Sequence, residues 1–329
     1  MVKFALVQLS KKHTEIFGTF IELFLRFGWD FTIYYNLEND PYTFLKYYET
    51  LFEIELEIRN TNDLLIDKDR YDFFIFTSSA DDVRMNDWFK SPEQRSKCIF
   101  VQHQAAHWRS YMHNNILMSS VIKSGELDKE NNICIIPVYK EYKKFHSQVK
   151  KLRFAVIGAV RINQEDKDLS LLIDLLEKYG NEDYKVYVFM RKMDWLAISR
   201  RNEFLRKNKR IENYPGLSTE KMIEKLKDVK FILPLSKQGG WFYWQRLTGT
   251  IPLAVNLNIP MVMDRKLSEI YGIEEGCILY ESRISEVMDR LICLTDEEYY
   301  RLVEGVVMYK KRQYLRNKRN LLNLCLGNG

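Results

Sequence analysis

Short apolar runs alternate with stretches of helical periodicity along the whole chain. This alternation is typical of parallel sheets that are flanked by helices. In the first half, the runs predict strands at 4–9, 31–35, 72–77, 98–102 and 133–138. In the second half, they predict strands at 154–158, 185–190, 230–234, 260–263 and 277–280, with a further short strand at 210–213. The pattern therefore predicts an α/β protein with two similar parallel-sheet halves.

Two of the predicted helices carry clear end signals. The helix after the first strand has apolar residues at helical spacing from Ile16 to Phe24, and Gly28 then provides a residue that tolerates the left-handed cap conformation. The last helix opens with a capping box, in which Thr295 is the cap and Glu298 stands three residues further on. We expect the first helix to end at Gly28 and the last to begin after Thr295.

A lysine-rich stretch without glycine, residues 140–151, separates the two halves and is the predicted linker. With 329 residues, the chain is long enough for two ordinary domains. The expected boundaries are an N-terminal domain at 1–145, a C-terminal domain at 146–295 and a helix at 296–329. This long C-terminal helix is expected to pack back on the N-terminal domain.

The composition is that of a folded, soluble protein. Hydrophobic residues make up 46% of the chain and aromatic residues 14%, which excludes disorder and supports sizeable cores. No window approaches the roughly 18 uninterrupted apolar residues that a membrane-spanning helix needs. The first nine residues are predicted to be a strand rather than a signal peptide, since their apolar run is too short.

The cysteines are widely spaced and form no close pair of the kind that metal sites or redox motifs use. We expect them to be free thiols in a reducing compartment, which predicts a cytoplasmic protein. The five are Cys98, Cys134, Cys277, Cys293 and Cys325.

Positive charge is concentrated near the C-terminus, although the net charge of +5 is mild. From Lys310 to Arg319 the chain has six basic residues and no acid, and it has no carboxylate side chain after Glu304. A basic helix of this kind predicts peripheral contact with an anionic membrane, and the alternative is a solvated helix face. Nucleic acid is not an expected partner.

The most informative segment is a turn rich in hydroxyl groups and glycine that precedes a short apolar helix. Thr248, Gly249 and Thr250 form the turn, and Pro260 opens the buried strand after the helix. Backbone N–H groups at a helix start can bind an anion, so the segment predicts a phosphate site. A plain threonine cap is the alternative.

A second such turn lies upstream, after the strand at 154–158. Gly158 is followed by Arg161 and then, at the start of the next helix, by Lys167. Fixed cations beside phosphates stabilise the charge that develops on a leaving nucleotide, whereas ordinary surface charge is the alternative. Two anion-binding turns in one half of the chain predict a ligand that carries a diphosphate.

In these residues the chain resembles the GT-B glycosyltransferases, which transfer a sugar from a nucleotide-sugar donor. The segment from Gly158 to Arg161, with Lys167, resembles the family's Gly-x-x-Arg motif and the lysine that follows it; in relatives this pair contacts the diphosphate. The segment that ends at Pro260 resembles the donor helix and the proline after it. The resemblance implies two Rossmann-like domains facing across a cleft, with the donor in the C-terminal half and the acceptor in the N-terminal half.

The chain departs from the family at the donor helix. Many retaining members have two glutamates there, whereas residues 239–253 contain no acid. Gln245 is therefore the candidate for a sugar or ribose hydroxyl, and Arg246 adds polar chemistry beside it. Tyr214 lies where relatives place the nucleobase, with a simple turn as the alternative, and Arg191 is a candidate phosphate contact, with a solvated charge as the alternative.

If the reaction inverts the sugar, the N-terminal half must supply a general base. His13 lies in the loop after the first strand, where several inverting relatives have a histidine that removes the acceptor proton. His103, Asp81 and Asp82 are alternatives, because each follows a predicted strand. A histidine has a pKa close enough to neutral to accept a proton, whereas an aspartate in this position more often caps a helix.

No motif in the sequence indicates a metal or cofactor. His103, His107 and His113 lack a nearby thiolate and the spacing of a zinc site. The Asp-x-Asp triplets that begin at Asp67 and Asp166 have the wrong surroundings, since the first precedes a strand and the second opens a helix. We therefore expect a metal-independent protein.

The sequence thus predicts a hexosyl- or pentosyltransferase that moves a sugar from a nucleoside-diphosphate sugar to a glycan, glycoprotein or other hydroxyl acceptor. Two alternatives stay open. One is a nucleotide-sugar epimerase or hydrolase of the same fold, and the other is a non-catalytic basic module that binds nucleic acid or membrane. The donor base, the sugar, the acceptor and the stereochemical outcome do not follow from the sequence.

Overall fold

A computed structural model describes residues 2–9, 14–36, 43–77, 86–103, 109–118, 131–139, 151–158, 167–190, 192–237 and 248–326. The chain divides into two compact units. Unit 1 consists of Met1–Tyr142, Gln245–Leu247 and Gln313–Gly329. Unit 2 consists of Lys143–Trp244 and Thr248–Arg312.

Unit 1 is built on a parallel sheet. Its described strands are β1 (Lys3–Val7), β2 (Asp30–Tyr34), β3 (Ile58–Arg59), β4 (Phe73–Phe76), β5 (Cys98–Gln102), β6 (Asn114–Leu117) and β7 (Asn131–Cys134). They are arranged in the order β3-β2-β1-β4-β5-β6-β7, and all neighbours are parallel. The helices that accompany them are α1 (Phe17–Phe27), α2 (Phe44–Phe52), α3 (Asn86–Lys90) and α4 (Pro92–Ser96).

The core of unit 1 includes the contact of α1 with β1, an interior strand of the sheet. The ring of Phe24 stacks on that of Phe4 with 4.6 Å between centroids, and both side chains are fully buried. The helix ends as the sequence predicts, because Gly28 takes the left-handed conformation at φ +64° and its N–H closes the last turn on Leu25 and Phe24 carbonyls.

Unit 2 is built on a second parallel sheet. Its described strands are β8 (Leu152–Ile157), β9 (Tyr184–Phe189), β10 (Ile211–Asn213), β11 (Phe231–Ile232), β12 (Met261–Asp264) and β13 (Cys277–Tyr280). Their order is β10-β9-β8-β11-β12-β13. The helices of this unit are α5 (Leu169–Lys178), α6 (Lys192–Arg201), α7 (Glu203–Lys207), α8 (Thr219–Leu226), α9 (Thr250–Asn256), α10 (Arg265–Tyr271) and α11 (Met288–Ile292).

The prediction of an α/β chain with two parallel-sheet domains is confirmed. Every strand predicted from the apolar runs overlaps an observed strand. β3 and β6 were not predicted. β3 is two residues long, and β6 begins with two asparagines, so neither has an apolar run of its own. Their strand conformation comes from parallel pairing with β2 and β5, which is a tertiary effect.

A long helix, α12 (Asp296–Leu326), follows α11. It opens with the predicted capping box, since the Glu298 N–H donates to Thr295 Oγ1 at 3.2 Å and the Thr295 N–H donates to Glu298 Oε2 at 3.0 Å. Further along, Gly305 lies against the backbone of Glu275, and a Cβ there would be 2.3 Å from the Glu275 carbonyl oxygen. Glycine therefore allows this close approach within unit 2.

The last turns of α12 belong to unit 1, where they cover the segment that follows β7. Asn317 is fully buried, and its side chain makes a pair of hydrogen bonds with one backbone unit. Its Oδ1 accepts from the Ile136 N–H at 3.2 Å, and its Nδ2 donates to the Ile136 carbonyl at 2.7 Å. Asn320 Nδ2 donates to the Cys134 carbonyl at 2.8 Å. The side-chain amides of Asn317 and Asn320 therefore supply hydrogen bonds to backbone groups at and after the end of β7.

Among the helices that the structure describes, none is long and apolar enough to cross a membrane.

Candidate functional site

Three of the predicted site residues meet at the carboxyl edge of the unit 2 sheet. Gly158 follows β8 directly and has φ +103°, a backbone conformation that residues with a side chain rarely adopt. A Cβ at this position would lie 3.8 Å from Lys167 Cε and 3.8 Å from Thr250 Oγ1. The start of α5, the start of α9 and the end of β8 therefore converge on one point, and glycine leaves the backbone there open to a ligand.

Two polar groups of the turn before α9 already have protein partners. Thr250 Oγ1 donates to the Ile157 carbonyl at 3.0 Å, and the Thr248 N–H donates to Tyr271 Oη at 3.0 Å. Both threonines are buried. These groups hold the turn against β8 and α10, so the Thr248 amide is not offered to an anion. Gly249 is the N-cap of α9. The role of this turn as a phosphate ligand stays a prediction.

Lys167 is held at the sheet edge by the segment after β11. Its Nζ donates to the Pro234 carbonyl at 2.7 Å, and its backbone forms an antiparallel bridge with Ser236. The next amide, that of Asp168, donates to the Leu235 carbonyl at 2.7 Å. These contacts fix the ammonium beside Gly158, which places one positive charge at the carboxyl end of β8.

Tyr214 lies directly after β10, on the same edge of the sheet. Its ring stacks on Phe189 with 5.3 Å between centroids, and Lys225 Nζ lies 5.3 Å from the ring centroid. Its hydroxyl donates to Glu212 at 2.8 Å. Burial, followed by this bond, raises the pKa of Tyr214, so the phenol stays protonated. The ring already has aromatic and cationic neighbours, and its contact with a nucleobase stays a prediction.

The carboxyl edge of the unit 1 sheet carries buried polar side chains around His103. His103 Nε2 lies 2.9 Å from the Thr77 carbonyl oxygen, one residue after the end of β4. The Thr77 hydroxyl contacts both the Val7 carbonyl and Gln8 Oε1. Because a carbonyl oxygen only accepts, Nε2 carries the proton, and in the neutral ring Nδ1 is the basic nitrogen. The predicted candidate base is thus held in one tautomer.

A pair of buried amides lies between β5 and β6. Gln102 Nε2 donates to Asn115 Oδ1 at 2.9 Å, and Asn115 Nδ2 donates to the Met112 carbonyl at 2.9 Å. The sequence analysis did not single out Gln8, Thr77, Gln102 or Asn115. The signal was present for the first three, since each is a polar residue at or just past the end of an apolar strand.

Several predicted site residues lie outside the described residues, so their roles stay predictions. They are His13, Asp81, Asp82, Arg161, Arg191, Gln245 and Arg246.

In the part of the chain that the structure describes, no group of three or more histidines, cysteines, aspartates and glutamates is placed to hold a metal ion.

Asp67, the first residue of the first Asp-x-Asp triplet, forms ion pairs with two arginines. It accepts from Tyr34 Oη at 2.7 Å and from Arg59 Nη1 at 2.8 Å, and Arg70 Nη1 lies at 3.1 Å. Donation by the Tyr34 hydroxyl is the main cause that lowers the pKa of Asp67 to about 2. The second triplet ends in Asp168, which caps α5 through the Ser170 N–H at 3.0 Å.

No protein-family model and no curated protein matches the chain. Solved structures do match it over nearly their whole length. The apo form of the lipopolysaccharide outer core galactosyltransferase WaaB has a TM-score of 0.60 at 14% identity, covering 99% of this chain and 99% of that chain. HepE from Anabaena, in complex with UDP and glucose, has a TM-score of 0.66 at 12% identity, covering 98% and 99%.

The chain has the GT-B fold. A UDP-GlcNAc 2-epimerase from Methanocaldococcus jannaschii, in complex with UDP-GlcNAc and UDP, also matches, with a TM-score of 0.51 at 11% identity and coverage of 95% of this chain and 100% of that chain. In open parallel sheets, ligands bind outside the carboxyl ends of the strands. We therefore expect ligands to bind at the carboxyl edges of the two sheets.

Proposed function

We propose that this chain transfers a sugar from a nucleoside-diphosphate sugar to a hydroxyl group of a glycan or glycoprotein. The observation that carries the proposal is the convergence of Gly158, Lys167 and Thr250 at the carboxyl edge of the unit 2 sheet, in a chain of the GT-B fold. Unit 2 is the proposed donor-binding unit, and unit 1, with its buried polar edge around His103, is the proposed acceptor-binding unit.

The proposed reaction needs positive charge where the leaving group departs. The acceptor oxygen forms a bond with the anomeric carbon of the sugar, and the bond between that carbon and the diphosphate oxygen breaks. The electron pair of that bond goes to the nucleoside diphosphate, and the acceptor proton goes to a base. Lys167, together with Arg161 and Arg191, would stabilise the departing diphosphate. Gly158 lets its backbone approach this group, and Gln245 would hold a hydroxyl of the sugar or ribose.

UDP is the first nucleotide to test, because HepE and the epimerase were each solved with it. Lys167→Ala is expected to weaken UDP binding by about tenfold to a hundredfold, the effect of losing one charge-assisted contact. Isothermal titration calorimetry with UDP measures it. Lys221→Ala, which removes an exposed lysine of α8 in the same unit, is the control and should bind as the wild type does. Equal affinity for UDP in Lys167→Ala and the wild type would remove Lys167 from the donor site.

Transfer is proposed to need no metal, because fixed cations and polar groups of the protein replace the charge of an ion. Turnover of the donor is therefore expected to continue in excess EDTA, as measured by release of nucleoside diphosphate. Loss of turnover with EDTA, followed by its return on addition of manganese, would contradict this proposal.

The epimerase alternative rests on the match to the UDP-GlcNAc 2-epimerase. The two activities differ in their dependence on an acceptor. A transferase produces a longer acceptor, whereas an epimerase or hydrolase converts the donor to an isomer or a free sugar without one. Product analysis of UDP-sugar reactions with and without a mixed glycan acceptor separates them. A basic module without catalysis would turn over no donor in either arm.

The proposed compartment is the cytoplasm, because all five cysteines are free thiols, as in proteins of reducing compartments. Membrane contact through the basic run that begins at Lys310 is also part of the proposal, and no nucleic acid is expected as a partner.

A further inference from the structure

The part of α12 that belongs to unit 1 has one buried face and one exposed face, and large apolar side chains lie on the exposed face. Asn317 and Leu321 are 0% exposed and lie on the face that packs against the unit 1 core. Leu315 and Leu326 are 56% and 61% exposed and lie on the opposite side of the helix. This outward side carries large apolar side chains that the fold of unit 1 does not cover.

Three leucines, of which Leu322 is half-buried, form a stripe together with arginines. Leu315, Arg319, Leu322 and Leu326 follow one another at spacings of four, three and four residues, so they share one helix face. Arg316 borders this stripe. We call these five residues the outer face of α12. Within the described residues, neither Arg316 nor Arg319 forms an ion pair.

Three other cations of the basic run have partners within the fold. Lys310 is buried, with Nζ donating to the Asn256 carbonyl at 3.2 Å. Arg312 pairs with Glu275 at 3.0 Å, and Lys318 Nζ lies 5.5 Å from the Phe27 ring centroid. These three cations therefore serve the fold, whereas Arg316 and Arg319 are exposed beside the leucines of the outer face.

We propose that the outer face of α12 docks on the surface of a bilayer that contains anionic phospholipids, an inference that rests on the membrane contact of the proposed function. Leucine side chains enter the boundary between headgroups and acyl chains, and arginines at their edge bind lipid phosphates. The local charge fits such a surface, since the sequence has no carboxylate side chain after Glu304. Nucleic acid also offers phosphates, but it would leave Leu315 and Leu326 in water, so lipid is the better match.

Vesicle sedimentation with the full chain tests this docking, using phosphatidylcholine alone and phosphatidylcholine mixed with phosphatidylglycerol. The wild type is expected to pellet only with the mixed vesicles. Arg316→Gln/Arg319→Gln should lower the partition coefficient by about 25-fold, at about fivefold for each cation near an anionic surface. Leu315→Ser/Leu326→Ser should lower it by about tenfold or more, because less apolar surface is removed from water.

The matched control is Arg206→Gln/Lys207→Gln, which removes two exposed cations of α7 and should pellet as the wild type does. All substituted positions except those of the control lie on the outer face, and unchanged melting temperatures show that the variants fold. Equal pelleting of the wild type and both outer-face variants would overturn the proposal. A leucine variant that pellets fully, with an arginine variant that loses binding to a DNA duplex, would assign the face to nucleic acid instead.

Discussion

Replacing His13 with alanine is expected to slow sugar transfer by about 10²- to 10⁴-fold, the range for loss of a general base. The acceptor hydroxyl must lose its proton as the glycosidic bond forms, and an imidazole accepts a proton at neutral pH. His13 stands between β1 and α1 in the sequence and lies outside the described residues. The proposed donor contacts lie in unit 2, so UDP affinity should not change. Rates at saturating donor and calorimetry with UDP measure the two effects.

His103→Ala and Asp81→Ala are the competing variants, and His113→Ala, at an exposed position before β6, is the control. Full turnover in His13→Ala would reject His13 as the base. A large loss in His103→Ala alone would then assign the role to Nδ1 of that ring, because Nε2 faces the Thr77 carbonyl at 2.9 Å. If all of these variants keep full turnover, a retaining reaction without a protein base becomes the better account.

The strands could be predicted where burial alone decides their conformation. Strands such as β5, buried at every position, appear in the sequence as uninterrupted apolar runs. β3 and β6 lack this signal, since β3 has two half-buried residues and β6 opens with two asparagines, and pairing with a neighbour decides their conformation. Helix ends were predictable because their signals are local. Gly28 ends α1 and the pair Thr295 and Glu298 opens α12, and each acts within one turn of chain.

The candidate site could be predicted only in part, because its geometry depends on contacts between distant residues. Gly158, Lys167 and Thr250 were singled out one by one from local motifs, and the structure brings them together. The hydrogen-bond partners of the turn before α9 could not be predicted from the sequence, since the Thr248 amide donates to a tyrosine that lies 23 residues away. The contact between the Thr77 carbonyl and His103 was not predicted, because it joins the ends of two strands that lie 26 residues apart in the sequence.

The largest expected effect on stability is that of Asn317→Ala. The substitution leaves the N–H and carbonyl of Ile136 without their amide partner, and Ile136 is itself buried. Each buried backbone group left without a hydrogen bond costs about 1–3 kcal/mol, so we expect a loss of about 2–6 kcal/mol for the two groups. The loss should appear locally, because Asn317 attaches the last turns of α12 to the segment after β7. Hydrogen exchange at the Ile136 amide reports on this contact, and urea denaturation reports on unit 1.

The same helix provides a graded series for this test. Asn320→Ala removes a single bond, to the Cys134 carbonyl, and should cost about 0.5–1.5 kcal/mol. Asn323→Ala, at an exposed position, should change stability by less than about 0.5 kcal/mol. The order of the three variants follows from the number of buried groups that each leaves unpaired, since helix propensity alone would favour alanine over asparagine at all three positions. An Ile136 amide that exchanges as slowly in Asn317→Ala as in the wild type would show that packing around Leu321, rather than the amide pair, holds the end of α12 in place.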